Sequence, residues 1–303
     1  MVRIVKKINL IIFLVLIGIL LKSVVFAKGN TSASFLKVGI SPRIISMGGL
    51  KTVIIDDVSA IEGNPACLTQ SMSKQLSFAH NEWIEGIKGE YLAFINPTTF
   101  HSAWGLNLYY SDLGTMIKRD ENGDVTGSFT AQNALASIGY SRLVSENFSI
   151  GLKVKGIYES LDENNDIGYA ADIGLLISHK QIRIGAYVEN LGKGIKLYKE
   201  EFPLPTRVNV GVLFNTREDI SFGVDVINDF SDEEVSINTG AEYVLAGKLA
   251  IRGGYQFNRA ENTGLGFTAG MGLNIGLVTL DYAYIPFGDL GNTHRAAIKF
   301  KFD

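Results

Sequence analysis

Hydrophobic and polar residues alternate along most of the chain after residue 74. Over residues 148–155, apolar side chains at even positions alternate with polar or small ones at odd positions. A period of two is typical of β-strands, in which successive side chains point to opposite faces. The pattern predicts fourteen strands, at residues 75–82, 89–96, 103–111, 131–142, 147–159, 167–178, 181–190, 206–215, 219–228, 234–244, 248–258, 264–275, 277–285 and 294–302.

Two architectures share this pattern. A soluble β-sandwich buries its apolar face, whereas a membrane barrel turns that face outward to lipid and keeps polar residues inside. The predicted strands have about the length that a tilted strand needs to cross a membrane, and their number is even. Aromatic residues also recur near strand ends, as in interfacial belts. We therefore predict an all-β, 14-stranded antiparallel transmembrane β-barrel with an N-terminal hatch segment, and keep the exported sandwich as the alternative.

The first 27 residues have the pattern of a secretory signal peptide. A basic start is followed by an apolar stretch from Ile8 to Leu21, and Val25 and Ala27 are small residues in the positions of a cleavage site. A membrane anchor is the alternative, but Lys22 interrupts the apolar run too early for a helical span. We predict cleavage after Ala27 and residence in a bacterial outer membrane.

Residues 28–73 do not continue the alternation and are too apolar for a linker. We predict that they form a hatch or plug in the lumen of a barrel formed by residues 74–303; a periplasmic arm is the alternative. Glycines on the predicted inward faces would allow a backbone to approach the wall closely. A cation site at Asp56–Asp57 is a weaker interpretation than a turn. The candidate plug residues are Gly39, Arg43, Met47, Gly48, Gly49, Asp56, Asp57, Asn64, Pro65 and Ala66.

Composition removes several classes of function. One cysteine and four histidines exclude an internal disulfide framework and leave little material for a zinc site. The formal net charge of −3 does not favour a nucleic-acid binder. No EF-hand, P-loop or dinucleotide motif is complete, and no histidine has a motif-level catalytic partner. We therefore predict no enzyme, no catalytic or metal-binding residues and no cofactor.

Charged residues on the predicted inward faces have mixed signs. A selective ion pore would show rings of one sign, whereas mixed pairs fit charges that are neutralised within a filled lumen. The candidates are Lys153, Lys155, Arg183, Asp225, Glu242, Arg252 and Asp281.

Several motifs resemble the PorV/PorQ family of outer-membrane proteins, whose barrels are similar to FadL fatty-acid transporters. The likeness begins with residues 35–39, Arg43, Met47–Gly49 and Asn64–Ala66, and it ends with a long stretch at residues 282–295. It implies a fourteen-strand barrel with an N-terminal hatch. Cys67 departs from the family pattern, which usually has glycine there. The last-loop motif comprises Pro286, Gly288, Asp289, Gly291, Thr293, His294 and Arg295.

The resemblance implies a secretion-associated role of the type IX kind, as a shuttle or docking component with translocon and cargo proteins as partners. The alternatives are a FadL-like transporter of hydrophobic small molecules and a structural barrel of unassigned role. Outer-membrane lipid is a predicted partner in every case, and nucleic acid is not. Residues 112–130 and 191–205 are candidate extracellular loops, provided that the periplasmic turns are the short ones.

Overall fold

A computed structural model describes residues 31–99, 101–197, 200–216, 219–257 and 265–302. The predicted signal peptide lies outside this range. One short α-helix, α1, spans Pro42–Ser46, and 3₁₀ turns span Ser34–Lys37, Val58–Ile61, Pro65–Gln70, Ile84–Gly86 and Gly288–Leu290. The strands are β1 Lys74–Glu82, β2 Lys88–Thr99, β3 Ser102–Arg119, β4 Val125–Ser145, β5 Phe148–Leu161, β6 Asn164–His179, β7 Ile182–Lys193, β8 Ile195–Leu197, β9 Glu200–Phe202, β10 Arg207–Asn215, β11 Ile220–Asp229, β12 Glu234–Leu245, β13 Leu249–Phe257, β14 Phe267–Ile275, β15 Val278–Pro286 and β16 Asn292–Phe302.

Fourteen of these strands form a closed antiparallel barrel, which confirms the predicted fold class. Consecutive strands pair in chain order, except that β10 follows β7 directly, and β1 pairs with β16 to close the sheet. Lys74 faces Phe302 and Glu82 faces His294 in this closing pair. Among the described residues, closure leaves no unpaired edge strand in the barrel. The remaining strands, β8 and β9, form a separate hairpin within the connection from β7 to β10.

The wall is apolar outside and polar inside. On β5, Ile150 and Leu152 are exposed, at 42% and 50%, whereas Ser149 and Lys153 on either side of them are 1% and 2% exposed. A soluble sandwich would have the opposite polarity, because its apolar face forms the core. An apolar outer face with a polar inner face is the arrangement of a membrane barrel.

The two ends of the barrel differ. We call the end that holds Lys74 and the tight turns such as Ser145–Phe148 the short-turn end, and the other end the long-loop end. The predicted loop at 112–130 is mostly strand, because β3 and β4 continue pairing as far as Arg119 and Val125. Much of the predicted loop at 191–205 is the β8–β9 hairpin. Within the described residues, no helix has the length and hydropathy of a membrane span.

Candidate functional site

The N-terminal segment, residues 31–73, lies against the inward-facing side chains of the barrel. It begins at the long-loop end, where the Ser32 hydroxyl donates to the Phe202 carbonyl (2.8 Å), and leads into β1 at the short-turn end. Six of its large apolar side chains are almost completely buried: Ile44, Met47, Leu50, Ile54, Ile61 and Leu68. The segment therefore has a hydrophobic core of its own that forms against the wall.

Glycines on both partners set the closest approaches. A Cβ built on Gly254 of β13 would overlap the backbone of Met47 and Gly48. Gly48 has φ +72°, and a Cβ there would overlap the Thr239 carbonyl. On the opposite wall, a Cβ at Gly151 would overlap the backbone of Pro65 and Ala66. Larger residues would push the segment away from the wall at these positions, since glycine alone leaves this space.

The Asn64–Pro65–Ala66 motif is a helix start that also contacts the barrel. The Asn64 Oδ1 accepts a hydrogen bond from the Ala66 N–H (3.0 Å), which caps the 3₁₀ turn Pro65–Gln70. The Asn64 Nδ2 donates to the Leu175 carbonyl of β6 (2.9 Å). Cys67 lies inside this turn without a positive φ, so the departure from glycine causes no backbone strain there. Burial, followed by the charge of Asp225, raises the pKa of the Cys67 thiol.

A first cluster of charges joins α1 to strands β12, β13, β15 and β16. Arg43 contacts Glu242 (2.8 Å) and Asp57 (3.3 Å), and Lys299 contacts both Asp57 and Asp281 (2.5 Å each). Arg252 connects Glu242 with Asp281. Three cations and three carboxylates therefore balance. Burial by itself would raise the pKa of Asp57, but the charges of Lys299 and Arg43 hold it well below its usual range.

A second cluster holds the middle of the segment to strands β7, β10 and β11. Lys51 contacts Glu189 (2.9 Å), which also binds Arg207 (2.9 Å). The backbone N–H groups of Lys51 and Thr52 donate to the Asp225 carboxylate (2.9 and 3.0 Å). Burial, and next the charge of Arg207, lowers the pKa of Lys51.

A third cluster lies on strands β5 and β6. Asp172 contacts both Lys153 (2.9 Å) and Lys155 (2.8 Å). The Lys153 ammonium also donates to three consecutive carbonyls of the segment, those of Ile61, Glu62 and Gly63. The structure thus brings six of the seven sequence candidates into three clusters. Arg183 stands apart, with an Nε that has no hydrogen-bond partner among the described residues.

The last-loop motif forms the tight connection from β15 to β16. It contains a 3₁₀ turn, Gly288–Leu290, with positive φ at Gly288 (61°) and Gly291 (96°). His294 points outward and its Nδ1 lies 2.7 Å from the Tyr282 hydroxyl. Arg295, by contrast, points inward and is buried. Of the remaining motif residues, Pro286 ends β15, Asp289 lies in the 3₁₀ turn, and Thr293 is buried on β16. In the N-terminal segment, Asp56 is exposed beside the buried Asp57.

A cavity of about 380 Å³ opens beside the N-terminal segment toward the long-loop end. Its apolar lining comes from both partners: Phe35, Val38, Trp83, Ile87, Tyr109, Leu113, Met116, Ala131 and Leu161. Phe35 of the segment and Tyr109 of β3 stack with ring centroids 6.0 Å apart. Polar residues, including Arg295 and Glu159, line one band of the wall. The volume lies within the range of small-molecule pockets.

Few of the residues that the sequence analysis named line this cavity. Of the named residues, Arg295 lines it, as do Phe35 and Val38 of the motif at 35–39, and all three were selected for their motifs rather than their positions. The alternation contains no signal for which stretch of the lumen the N-terminal segment leaves empty. Within the described residues, no group of three or more histidine, cysteine or carboxylate side chains is arranged to hold a metal ion.

The chain is similar to solved structures that are named as toluene transporters or as a FadL homologue. The chain is similar to the toluene transporter TbuX of Ralstonia pickettii, with a TM-score of 0.67 and 15% identity, covering 88% of this chain and 99% of that one. The toluene transporter TodX of Pseudomonas putida gives a TM-score of 0.64 at 13% identity, covering 86% and 97%. A FadL homologue of Pseudomonas aeruginosa gives 0.56 at 10% identity, covering 93% and 100%.

These likenesses establish the fold. No protein-family model matches the chain, and no curated protein matches it with significance. The predicted relation to PorV/PorQ is therefore not confirmed beyond the shared FadL-like barrel. None of the solved structures named above is described as part of a secretion system.

Proposed function

We propose that this protein is a bacterial outer-membrane channel for small hydrophobic molecules. The observation that carries the proposal is the cavity of about 380 Å³, whose aromatic and aliphatic lining could shelter an apolar molecule from water. The apolar outer face supports residence in a membrane, with outer-membrane lipid as the surrounding partner. The transporters with the same fold, named for toluene, add support by analogy.

The proposal assigns residues 28–73 the role of a plug. Its supporting contacts are the three charge clusters and the glycine approaches, which hold the segment against β5–β7 and β10–β16. A molecule that leaves the cavity toward the short-turn end would meet this segment, because the segment runs from one end of the barrel to the other. Transport through the lumen would therefore need the segment to move.

A reversible crosslink tests this requirement. The hydroxyls of Thr69 in the plug and Ser149 on β5 lie 2.8 Å apart, so a Thr69→Cys, Ser149→Cys pair places two sulfurs within disulfide reach. The background carries Cys67→Ser, which removes the natural thiol. Each single cysteine variant serves as a matched control, because it carries the substitution without the crosslink.

The assay is uptake of radiolabelled toluene by a Gram-negative host that lacks its own channel for hydrophobic molecules. We expect expression of the protein to raise the initial rate, the oxidised double variant to fall to the vector level, and a reductant to restore it. A rate equal to that of the empty vector would contradict the channel. A channel that works equally well oxidised and reduced would contradict the moving plug.

Secretion remains the second candidate function, since the resemblance of residues 282–295 to the PorV/PorQ family motivates it. Purification from the native outer membrane separates the two. Translocon and cargo proteins in stoichiometric amounts would support secretion, whereas bound lipid-like molecules without protein would support transport.

A further inference from the structure

One row of inward-facing residues crosses six neighbouring strands at the height of the cavity. The pairing register aligns Arg295 with Asn81, Asn81 with Gly89, Gly89 with Ser111, Ser111 with Asn133, and Asn133 with Glu159. All six line the same cavity. The polar part of the lining is thus a continuous band, with a cation at one end and a carboxylate at the other.

The next inward row, toward the short-turn end, is apolar. The same registers give Ala297, Ala79, Tyr91, Tyr109, Leu135 and Ile157. Of this row, Tyr109 lines the cavity, where it joins Phe35 and Trp83 as aromatic surface beside the polar band. A ligand here would meet flat apolar walls and a polar edge at once.

Hydrogen-bond donors dominate the Arg295 end of the band. The Arg295 guanidinium has five N–H donors, so it can serve a protein partner and a ligand together. A carboxylate on a ligand can accept hydrogen bonds from this guanidinium, whereas a purely hydrocarbon ligand offers it no acceptor.

We propose that the cavity binds aryl carboxylates in preference to neutral aromatic molecules, with Arg295 as the residue that determines this specificity. The inference rests on the proposed channel function and refines it. The carboxylate lies at the Arg295 end, where the guanidinium matches it in a bidentate geometry. The ring lies against the stacked pair of Phe35 and Tyr109, and Glu159 repels the acid from the far end of the band.

Glu159 also forms a hydrogen bond with the N-terminal segment. One of its carboxylate oxygens accepts a hydrogen bond from the Ala33 N–H (2.9 Å). The carboxylate therefore stays in place at the far end of the cavity, and its charge sets the orientation of an anionic ligand.

The test compares two ligands of similar shape, 4-phenylbutanoate and 4-phenylbutan-1-ol, by calorimetry on the purified full-length protein in micelles. Tryptophan fluorescence gives a second signal, because Trp104→Phe leaves Trp83 as the only tryptophan. We expect the acid to bind at least tenfold more tightly than the alcohol. Arg295→Met should lower the affinity for the acid by roughly 10- to 100-fold and change the affinity for the alcohol by less than about threefold.

Two variants control for damage to the fold. Arg142→Met removes an exposed arginine from the other face of the barrel and should leave both ligands unaffected. Arg295→Lys keeps the charge but loses the planar fork, so the acid should bind with intermediate affinity. Heat-modifiable migration on a gel confirms that each variant is a folded barrel.

The possible results distinguish the carboxylate specificity from the channel function on which it rests. Equal binding of acid and alcohol, or equal weakening of both by Arg295→Met, would overturn the carboxylate specificity and leave the channel standing. Binding of neither ligand, together with no toluene uptake, would overturn the channel as well. A preference for the acid that disappears in Arg295→Met supports the inference.

Discussion

Asp57→Asn should release the plug without unfolding the barrel. Asp57 belongs to the N-terminal segment, but it binds Lys299 of β16 at 2.5 Å and shares Arg43 with Glu242 of β12. An asparagine keeps the Oδ1 that caps the turn at Ser59 (2.9 Å), so local structure survives. The substitution therefore removes mainly one negative charge from a cluster in which cations and carboxylates balance.

The free energy lost in Asp57→Asn depends on which carboxylates Lys299 and Arg43 still contact. Removing one partner of a buried pair costs about 3–5 kcal/mol when the other charge is left alone. Here Lys299 keeps Asp281 at 2.5 Å, and Arg43 keeps Glu242 at 2.8 Å. The loss is then closer to that of one or two charge-assisted hydrogen bonds, or about 3 kcal/mol. At 1.4 kcal/mol per factor of ten, the population of the released plug should rise roughly 100-fold.

Cys67 reports this release directly. It is the only cysteine in the chain, it lies buried in the plug, and its pKa is raised by burial and then by the charge of Asp225. Only a thiolate reacts rapidly, so labelling requires the plug to leave its seat. When the plug closes again faster than the reagent reacts, the labelling rate follows the population of the open form. We expect labelling of Asp57→Asn to be roughly 100 times faster than that of the unaltered protein.

The matched control is Asp56→Asn. This neighbouring side chain is exposed, and asparagine tolerates its φ of 52°, so labelling should change by less than about twofold. The pKa of Asp57 is lowered, so its stabilising effect is complete above the usual aspartate value of about 3.9 and disappears only as the pH falls through the lowered value. The ratio of the Cys67 labelling rate in Asp57→Asn to that in the unaltered protein should therefore be constant from pH 6 to 8. A change of less than threefold in Asp57→Asn, or loss of the folded barrel on a gel, would refute the reasoning.

Three further predictions follow from the contacts between the N-terminal segment and the barrel wall. Glu189→Gln removes the carboxylate that two buried cations share, and urea unfolding in micelles should show a loss of about 3 kcal/mol. Gly48→Ala should speed thiol labelling at least tenfold, whereas Gly86→Ala, which has a similar positive φ (74°) but no atom within 4 Å, should not change it. Deletion of 30–70 should raise single-channel conductance, because the segment fills much of the lumen; unchanged conductance would contradict the plug.

The sequence predicted the barrel because one rule governs the whole wall. Each strand repeats an outward apolar and inward polar alternation, so a local pattern is enough to place β5 or β13. The prediction was wrong at 112–130, where β3 and β4 continue as a paired two-stranded ribbon whose residues are mostly exposed. Mostly exposed residues need no strict alternation, so the pattern that identifies wall strands has no reason to continue there.

The arrangement inside the lumen could not be predicted in the same way. Lys51 and Glu189 are separated by 138 residues, and no periodicity connects them. The position of the cavity depends on where the N-terminal segment stops filling the lumen, which is a matter of packing rather than pattern. Individual glycines did indicate that another segment fills the lumen. Gly254 and Gly151 lie within strands, where glycine has no evident role unless another backbone approaches.

The wall depends on the plug more on one side than on the other. Across β12–β16, Arg252 and Lys299 would keep Glu242 and Asp281 as partners if the segment left. Across β5–β11, Lys153 would lose three carbonyl acceptors, and Asp225 would lose both of its backbone donors. Unsatisfied buried groups are costly, so release should begin at α1 and reach residues 61–66 last. Amide hydrogen exchange can read this order, because residues 45–49 should then exchange faster than 64–67, and the reverse order would contradict it.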